Sequence, residues 1–377
     1  MARPRLDAAA TVADLRLLAR RRTPRAVFDY VDGGAGDEIS LRRDRAAYDR
    51  VEFQPVALRD VAQVQPAATV LGEPSALPIV LAPTGFTRMM HHHGEPAVAR
   101  VAGAFGIPYT LSTLGTTSPA ALARAAPGTR RWFQLYLWRD RERTADLIAQ
   151  VAGAGYDTIM VTVDTPVGGR RLRDVRNRMT IPPAPRRLSD LRRLPWWYHA
   201  RVGPQWQFAA LSRWQGTAAA LADTMFDPGV TVDDLRWVRD RWPGRMLVKG
   251  VLSAAGATTA VECGADGVVV SNHGGRQLDR SPVPLEVLPS VVAAVGDRAA
   301  VLVDGGVRSG ADVVAAVCLG ASAVLVGRAY LYGLMAGGEP GVRRSLEILS
   351  GDVTHTMRLL GANDVKDLGA ERVRLRA

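Results

Sequence analysis

A chain of 377 residues has room for two or three ordinary domains at roughly 150 residues each, or for one α/β barrel core. Hydrophobic residues make up 47% and charged residues 23%, which excludes wholesale disorder; no uncharged apolar run reaches the roughly 18 residues of a spanning helix. The net charge of +11 raises nucleic acid as a partner, but the arginines are spread without a block of like charge or an aromatic-interleaved basic motif. A small ligand carrying phosphate or carboxylate is the better account, and no nucleic-acid partner is expected. The N-terminus carries Asp7 and Asp14 and no compact apolar stretch, so it does not read as a signal peptide. Two cysteines, Cys263 and Cys318, suit a reducing cytosol and a cytoplasmic protein.

Taken in chain order, residues 12–21 and 24–32 read as two short helices, the second ending at Gly33-Gly34. Residues 1–76 are expected to form a helical extension packed on the domain that follows, which spans 77–377. Short apolar runs rich in Val, Ile and Leu then recur at 77–82, 107–113, 132–137, 159–164, 246–251, 267–271, 300–304 and 323–327. None alternates with polar residues, as expected of strands buried on both faces of a parallel sheet. Helical patterns at 95–104, 142–154, 232–241 and 309–319 separate them, two being closed by Gly155 and Gly320. Eight strands alternating with helices predict a (β/α)₈ TIM barrel; an open doubly wound sheet, usually with fewer strands, is the competing architecture. Residues 180–230 break the repeat with Pro182, Pro183 and Pro185, then Trp196, Trp197, Tyr198, Trp206 and Trp214. A connection this long in a compact domain reads as an insert packed on the barrel, as a lid, or as a docking segment facing a membrane.

A barrel carries its active site at the C-terminal ends of its strands. Those ends hold polar residues: Gln134 and Tyr136 on strand three, Thr162 and Asp164 on strand four, and Lys249 on strand five. Ser271, His273 and Arg276 follow strand six, Asp304 and Arg308 strand seven, and Gly327 and Arg328 strand eight. Lys249 is one of only two lysines, so a strand end that keeps one asks for a compact point charge rather than a planar fork. Asp304-Gly305-Gly306-Val307-Arg308 and Gly327-Arg328 sit where barrels bind phosphate, with glycines for backbone approach and arginines for charge. His273 suits a general base, Arg276 a bidentate carboxylate clamp, and Asp164 a partner for the imidazolium. Each has a structural alternative as a satisfied buried polar group. His91-His92-His93 reads as a solvated loop: three adjacent imidazoles are not expected to converge on one ion, and no metal is expected.

The run SNHGGRQLD at 271–279 resembles the signature of the FMN-dependent L-2-hydroxy acid oxidases and dehydrogenases. The resemblance extends over nearly the whole chain, through FDYVDGGAGDE, LAPTGFTR, WFQLY, VTVDTP with GRRLRDVRN, LVKG, LVDGGVRSG and LVGRAYLYG, and is nearest to bacterial L-lactate dehydrogenases. It implies FMN as cofactor, with Pro83, Thr84 and Gly85 along the flavin edge and Ser112, Gln134 and Thr162 bonded to its ring. Lys249 would stand at the pyrimidine end and Ser271 beside the ribityl chain. Asp304, Gly306, Arg308, Gly327 and Arg328 would hold ribityl and phosphate. His273 would be the base, Asp164 its partner, Arg171 and Arg276 the carboxylate clamp, and Tyr30 and Tyr136 further substrate ligands. The implied reaction takes an L-2-hydroxy acid, foremost L-lactate, to the 2-oxo acid and passes electrons to a quinone or cytochrome. The alternatives are an oxygen-using oxidase of a bulkier or aromatic 2-hydroxy acid in a biosynthetic pathway, a non-catalytic flavin-binding protein, and an FMN barrel isomerase acting on a diphosphate. The resemblance also implies a homotetramer and allows peripheral contact with the inner face of the cell membrane.

Three departures from the family pattern stand out. His91-His92-His93-Gly94-Glu95 replaces the usual His-Pro-Glu-Gly-Glu. Leu114 and Gly168 stand where glycolate oxidase has a bulky aromatic and a larger aliphatic residue, which implies a roomier pocket. Gly85 stands where typical oxidases carry alanine, which leans toward a dehydrogenase.

Overall fold

A computed structural model describes residues 5–181, 183, 193–203 and 225–376. Three helices come first: α1 (Val12–Arg22), α2 (Arg25–Asp32) and α3 (Ile39–Asp49). Thr11 starts α1 because its hydroxyl and the Asp14 carboxylate satisfy each other's backbone N–H groups in a capping box. Eight strands follow: β1 (Ile79–Leu81), β2 (Tyr109–Ser112), β3 (Arg131–Leu135), β4 (Thr158–Thr162), β5 (Arg245–Val251), β6 (Gly267–Val270), β7 (Ala300–Val303) and β8 (Ala323–Val326). All are parallel, each pairs with the next, and β8 pairs back to β1. The closed barrel agrees with the (β/α)₈ expectation and excludes the open sheet.

The unbroken apolar runs are explained by two cores. Every second strand residue, among them Val80, Trp132, Met160, Leu247, Val269, Leu302 and Leu325, fills the barrel interior, which Val70 and Leu71 from a small hairpin help to plug. The alternate residues, such as Leu81, Phe133, Ile159, Val248, Val303 and Val326, pack outward on the helices. A strand residue in this position has apolar neighbours whichever way it points.

The helices relevant to the site are α4 (Thr87–Met90) and α5 (Gly94–Ala104) after β1, then α6 (Pro119–Ala125) and α7 (Arg141–Gly153). After β4 come α8 (Leu172–Arg176), α9 (Leu194–Val202) and α10 (Val232–Arg241). The remaining helices are α11 (Ala254–Glu262), α12 (Pro284–Val295), α13 (Gly310–Cys318) and α14 (Arg328–Leu360), the last kinked at Gly337 and Gly338. α1 packs along α14, α2 reaches α8 and α4, and a strand at Val373–Leu375 pairs with one at Val51–Phe53. These contacts bring the N-terminal helices to the barrel mouth at the C-terminal ends of the strands. Asp32 at the end of α2 accepts from Arg16, Arg173 and Tyr332, which ties the extension to both α8 and α14. The arginine neighbours overcome the burial that opposes ionisation and hold this carboxyl down at about 2. Of the insert at 180–230, Pro182, Pro185, Trp206 and Trp214 lie outside the described residues.

Candidate active site

The strand ends assemble one polar band across the barrel mouth. Ser112 Oγ donates to Gln134 Oε1 at 3.0 Å, and Gln134 Nε2 donates to Thr162 Oγ1 at 3.0 Å. Thr162 is in register with Lys249 on the neighbouring strand. Lys249 Nζ donates to Ser271 Oγ at 2.9 Å and pairs with Asp304 Oδ2 at 3.1 Å. Six strands thus contribute one residue each, because equivalent strand ends face the same opening. All six side chains are buried, so the cost of desolvating them is met by these mutual bonds.

His273 follows β6 in a left-handed conformation at φ +61°, which is unusual for a residue with a side chain. Ser271 Oγ accepts its backbone N–H at 3.0 Å, and Asn272 Oδ1 accepts that of Gly275 at 2.9 Å; together they hold the turn. The turn aims Nδ1 of His273 at both carboxylate oxygens of Asp164, at 3.1 and 3.2 Å. Burial opposes the charge on Asp164, but His273 and then Lys249 outweigh it and hold its pKa below the ordinary carboxylate value. An ionised Asp164 selects the tautomer with hydrogen on Nδ1, leaving Nε2 as a proton acceptor.

The guanidinium groups of Arg276 and Arg171 lie 5.0 and 5.3 Å from the same Tyr30 ring. Arg276 spends one nitrogen on the carbonyls of Tyr30 and Gly33, and Arg171 spends Nε on Asp174. Each retains further N–H donors. Burial lowers the pKa of Arg276, and the like charge of Arg171 lowers it again. Two facing cations of this kind are arranged to receive an anion. Tyr136 is buried against Phe226, with ring centroids 5.4 Å apart, and burial pushes its phenol pKa upward, so it stays a hydrogen-bond donor.

Tyr30, Tyr136, Arg171, His273 and Arg276 line one cavity of about 270 Å³ together with Pro83, Thr84, Gly85, Ser112, Gln134, Thr162 and Lys249. Asp304, Gly306, Arg308, Gly327 and Arg328 line it too, so of the residues singled out in the sequence only Asp164 and Ser271 are in its supporting wall. Arg328, half-buried at one end of the cavity, lies among like charges: burial first, then Arg276 and Arg308, lower its pKa to about 10.

Residues 19–375 match the FMN-dependent dehydrogenase family. The chain belongs to that family. FMN is its cofactor. A Mycobacterium tuberculosis relative named "Putative L-lactate dehydrogenase" is 53% identical over 98% of this chain and 90% of its own length. L-lactate dehydrogenase of Caulobacter vibrioides is 43% identical over 96% of this chain and 98% of the relative. Among solved structures, monotopic membrane (S)-mandelate dehydrogenase superposes with a TM-score of 0.92 at 38% identity, over 98% of this chain and 100% of that one.

The cavity of this FMN-dependent dehydrogenase fits its cofactor on local grounds. Asp304 Oδ1 is buried without a hydrogen-bond partner, which marks an acceptor left for a ligand donor. Gly305 and Gly306 adopt φ of +97° and +77°, turning backbone into the opening where a side chain would be strained. At Gly85 a Cβ would come within 2.8 Å of Leu114 Cβ, so bare backbone forms that wall.

Several participants escaped the sequence reading. Arg328 donates to the carbonyls of Val31, Gly33 and Gly274, so the arginine expected at the phosphate also fastens α2 to the His273 turn. Gln277 ties that turn to the β4 loop, donating to the carbonyls of Asp164 and Val167 and accepting from Gly169 N–H. Its place within SNHGGRQLD was the available signal. Asp174 and Asp44 had none, since a single acid in a helical pattern looks like any solvated one.

One expectation is corrected in part. His91, His92 and His93 do lie in the loop between α4 and α5, but they converge: their rings pack against one another with centroids 4.3–4.5 Å apart. The backbone runs extended at His91 (φ −160°), helical at His93 (φ −63°) and left-handed at Gly94 (φ +54°), which folds the three side chains together without strain at any histidine.

Proposed function

We propose that the protein oxidises an L-2-hydroxy acid to the 2-oxo acid, with L-lactate the foremost substrate, and passes the electrons to a quinone or cytochrome. The reading is carried by one arrangement: a histidine backed by an aspartate, in a cavity also lined by Arg171 and Arg276, whose guanidinium groups both lie near the Tyr30 ring. FMN, when bound, supplies the two-electron acceptor. Pro83, Thr84, Gly85, Ser112, Gln134 and Thr162 would hold its ring system, and Lys249 and Ser271 would stand beside them. Asp304, Gly306, Arg308, Gly327 and Arg328 would hold its ribityl and phosphate. Arg171 and Arg276 bind the substrate carboxylate, and Tyr30 and Tyr136 steady the carboxylate and hydroxyl. His273 Nε2 takes the substrate proton, and Asp164 stabilises the imidazolium that results. The names of the relatives from M. tuberculosis and C. vibrioides support lactate. The test is anaerobic mixing of the yellow enzyme with L-lactate: loss of flavin absorbance is expected, and persistence of colour with every 2-hydroxy acid tried would leave a flavin-binding protein without this activity.

A second reading, a bulkier or aromatic 2-hydroxy acid, is favoured by the apolar part of the cavity lining. Leu114, Ile181, Met225 and Phe226 supply it, and a Cβ on Gly168 would still be 3.8 Å from Phe226. The mandelate dehydrogenase likeness supports the same reading. Comparing kcat/KM for L-lactate and (S)-mandelate, each with oxygen or an artificial acceptor, separates the two.

Peripheral membrane contact and a homotetramer belong to the same proposal. No helix among the described residues is long and apolar enough to cross a membrane. α9 in the insert exposes Leu194, Tyr198 and Val202 at four-residue spacing, a stripe suited to an interface, and the mandelate dehydrogenase neighbour is titled a monotopic membrane protein. Vesicle sedimentation reads the first and light scattering the second.

A further inference from the structure

Four of the six histidines gather at one place, and none of them lines the active-site cavity. His91, His92 and His93 each offer a ring nitrogen, and these atoms all lie within 4.8 Å of one another. The fourth comes from far along the chain: the His199 ring of α9 stacks on His92 at 3.9 Å with an interplanar angle of 16°. Gly338, at the kink of α14, makes room for the group. A Cβ there would stand 2.6 Å from both His91 Cε1 and His93 Nδ1. Three segments therefore meet at the cluster: the β1–α5 connection, the insert and the kinked helix.

The chemistry of the set narrows what it takes. Each imidazole offers a ring nitrogen with an unshared pair to a metal ion. The nearby acid, Glu339, is already paired with Arg100 at 2.6 Å, and no carboxylate belongs to the group. A donor set of imidazoles alone selects late first-row divalent ions over magnesium or calcium, which demand oxygen. In the present arrangement Nδ1 of His91 accepts from His93 N–H and Nδ1 of His93 from Glu339 N–H, both at the long distance of 3.2 Å. Turning a ring about its last torsion re-aims both of its nitrogens without moving Cβ, Nδ1 changing places with Cδ2 and Nε2 with Cε1, so these two weak bonds can give way to metal bonds.

We propose that His91, His92, His93 and His199 form a binding site for a divalent ion of the zinc or nickel class, and that the ion staples the insert at α9 to the barrel. The site lies outside the redox centre and is independent of the substrate assigned above. Its consequence is local: the ion adds a tether to the segment holding α9, beside the His92–His199 stack and the packing of Trp196 on the core.

The test uses tag-free, FMN-loaded enzyme stripped with a chelator and titrated with Zn²⁺ and Ni²⁺ by calorimetry, followed by elemental analysis after dialysis. One ion per chain is expected, and His92→Gln or His199→Gln should each weaken binding by about tenfold or more, the lower end of the effect of disturbing a metal site. Flavin reduction by substrate should be the same in both variants. In the unsubstituted enzyme Zn²⁺ should slow tryptic cleavage at Arg201, and in His199→Gln it should not. Absence of a saturable one-to-one site, or binding indifferent to both substitutions, overturns the proposal. Should a variant fail to retain FMN, the protease result on the unsubstituted enzyme decides: no protection by Zn²⁺ or Ni²⁺ refutes the staple.

Discussion

His273 Nδ1 lies 3.1 Å from Asp164 Oδ1 although 109 residues separate them, and the contact fixes which nitrogen of the imidazole is left to act. Replacing His273 by Gln keeps a polar side chain but removes the base. FMN should stay bound, while the rate of flavin reduction by substrate should fall by about 10²- to 10⁴-fold, the usual worth of a general base. Stopped-flow absorbance under anaerobic conditions measures this. Near-normal reduction would remove His273 from the role.

Arg276→Lys keeps the charge and loses the planar fork. The same guanidinium holds the carbonyls of Tyr30 and Gly33, so the lysine also loosens α2. KM should rise and kcat/KM should fall by about 10- to 100-fold, the cost of one or two charge-assisted hydrogen bonds. An unchanged KM in steady-state assays would unseat the carboxylate assignment.

Lys249→Met strands the Asp304 carboxylate, which is buried beside it. Leaving one member of a buried pair unpartnered costs about 3–5 kcal/mol. Denaturant unfolding of the holoenzyme should show a loss of that order, and FMN should dissociate more readily in a fluorescence titration. Full stability would mean that Asp304 has another cation to turn to.

Gly85→Ala introduces a methyl 2.8 Å from Leu114 Cβ, too close for either backbone to ignore. The single variant should lose FMN affinity, and a companion Leu114→Gly, which removes that Cβ, should recover much of it. Equal affinities in all three proteins would show that the wall moves freely.

Asp44 accepts from Asn272 at 2.7 Å, yet burial first, and the Asp304 charge after it, push its pKa up to about 7 from 3.8. Between those two pKa values the folded protein holds a proton that the unfolded chain releases. Stability from this group therefore falls as pH rises through that window, and the penalty is complete above about 7. Asp44→Asn, neutral throughout, should match the unsubstituted holoenzyme near pH 4 and gain in Tm on going to about pH 8. Melting curves across that range check the sign; a difference in Tm that does not change with pH would refute the shift.

Much of the architecture was legible because burial on both faces leaves an unmistakable signature. Runs such as 267–271 and 323–327 became β6 and β8, since a barrel strand has apolar neighbours inside and out. The helical patterns at 12–21, 232–241 and 309–319 became α1, α10 and α13, which start on capping boxes at Thr11, Thr231 and Ser309. The ring of polar residues at the strand ends could also be read in order, because in a barrel every strand end faces one opening. What lay hidden were partnerships between distant segments. Nothing local marks Arg328 as the clamp on Val31, Gly33 and Gly274, or Asn272 as the partner of Asp44.

The histidines show the division most plainly. Three in a row were visible at once, but whether they scatter or converge depends on backbone angles at His91, His93 and Gly94 and on the space opened by Gly338. His199 joins them only because the insert folds back. Periodicity and residue type are properties of neighbours along the chain, and they determined the barrel and the polar ring at its strand ends, while the motifs carried the resemblance that implied the cofactor. Distances between groups remote in sequence depend on how the whole chain packs, and only the tertiary structure decided them.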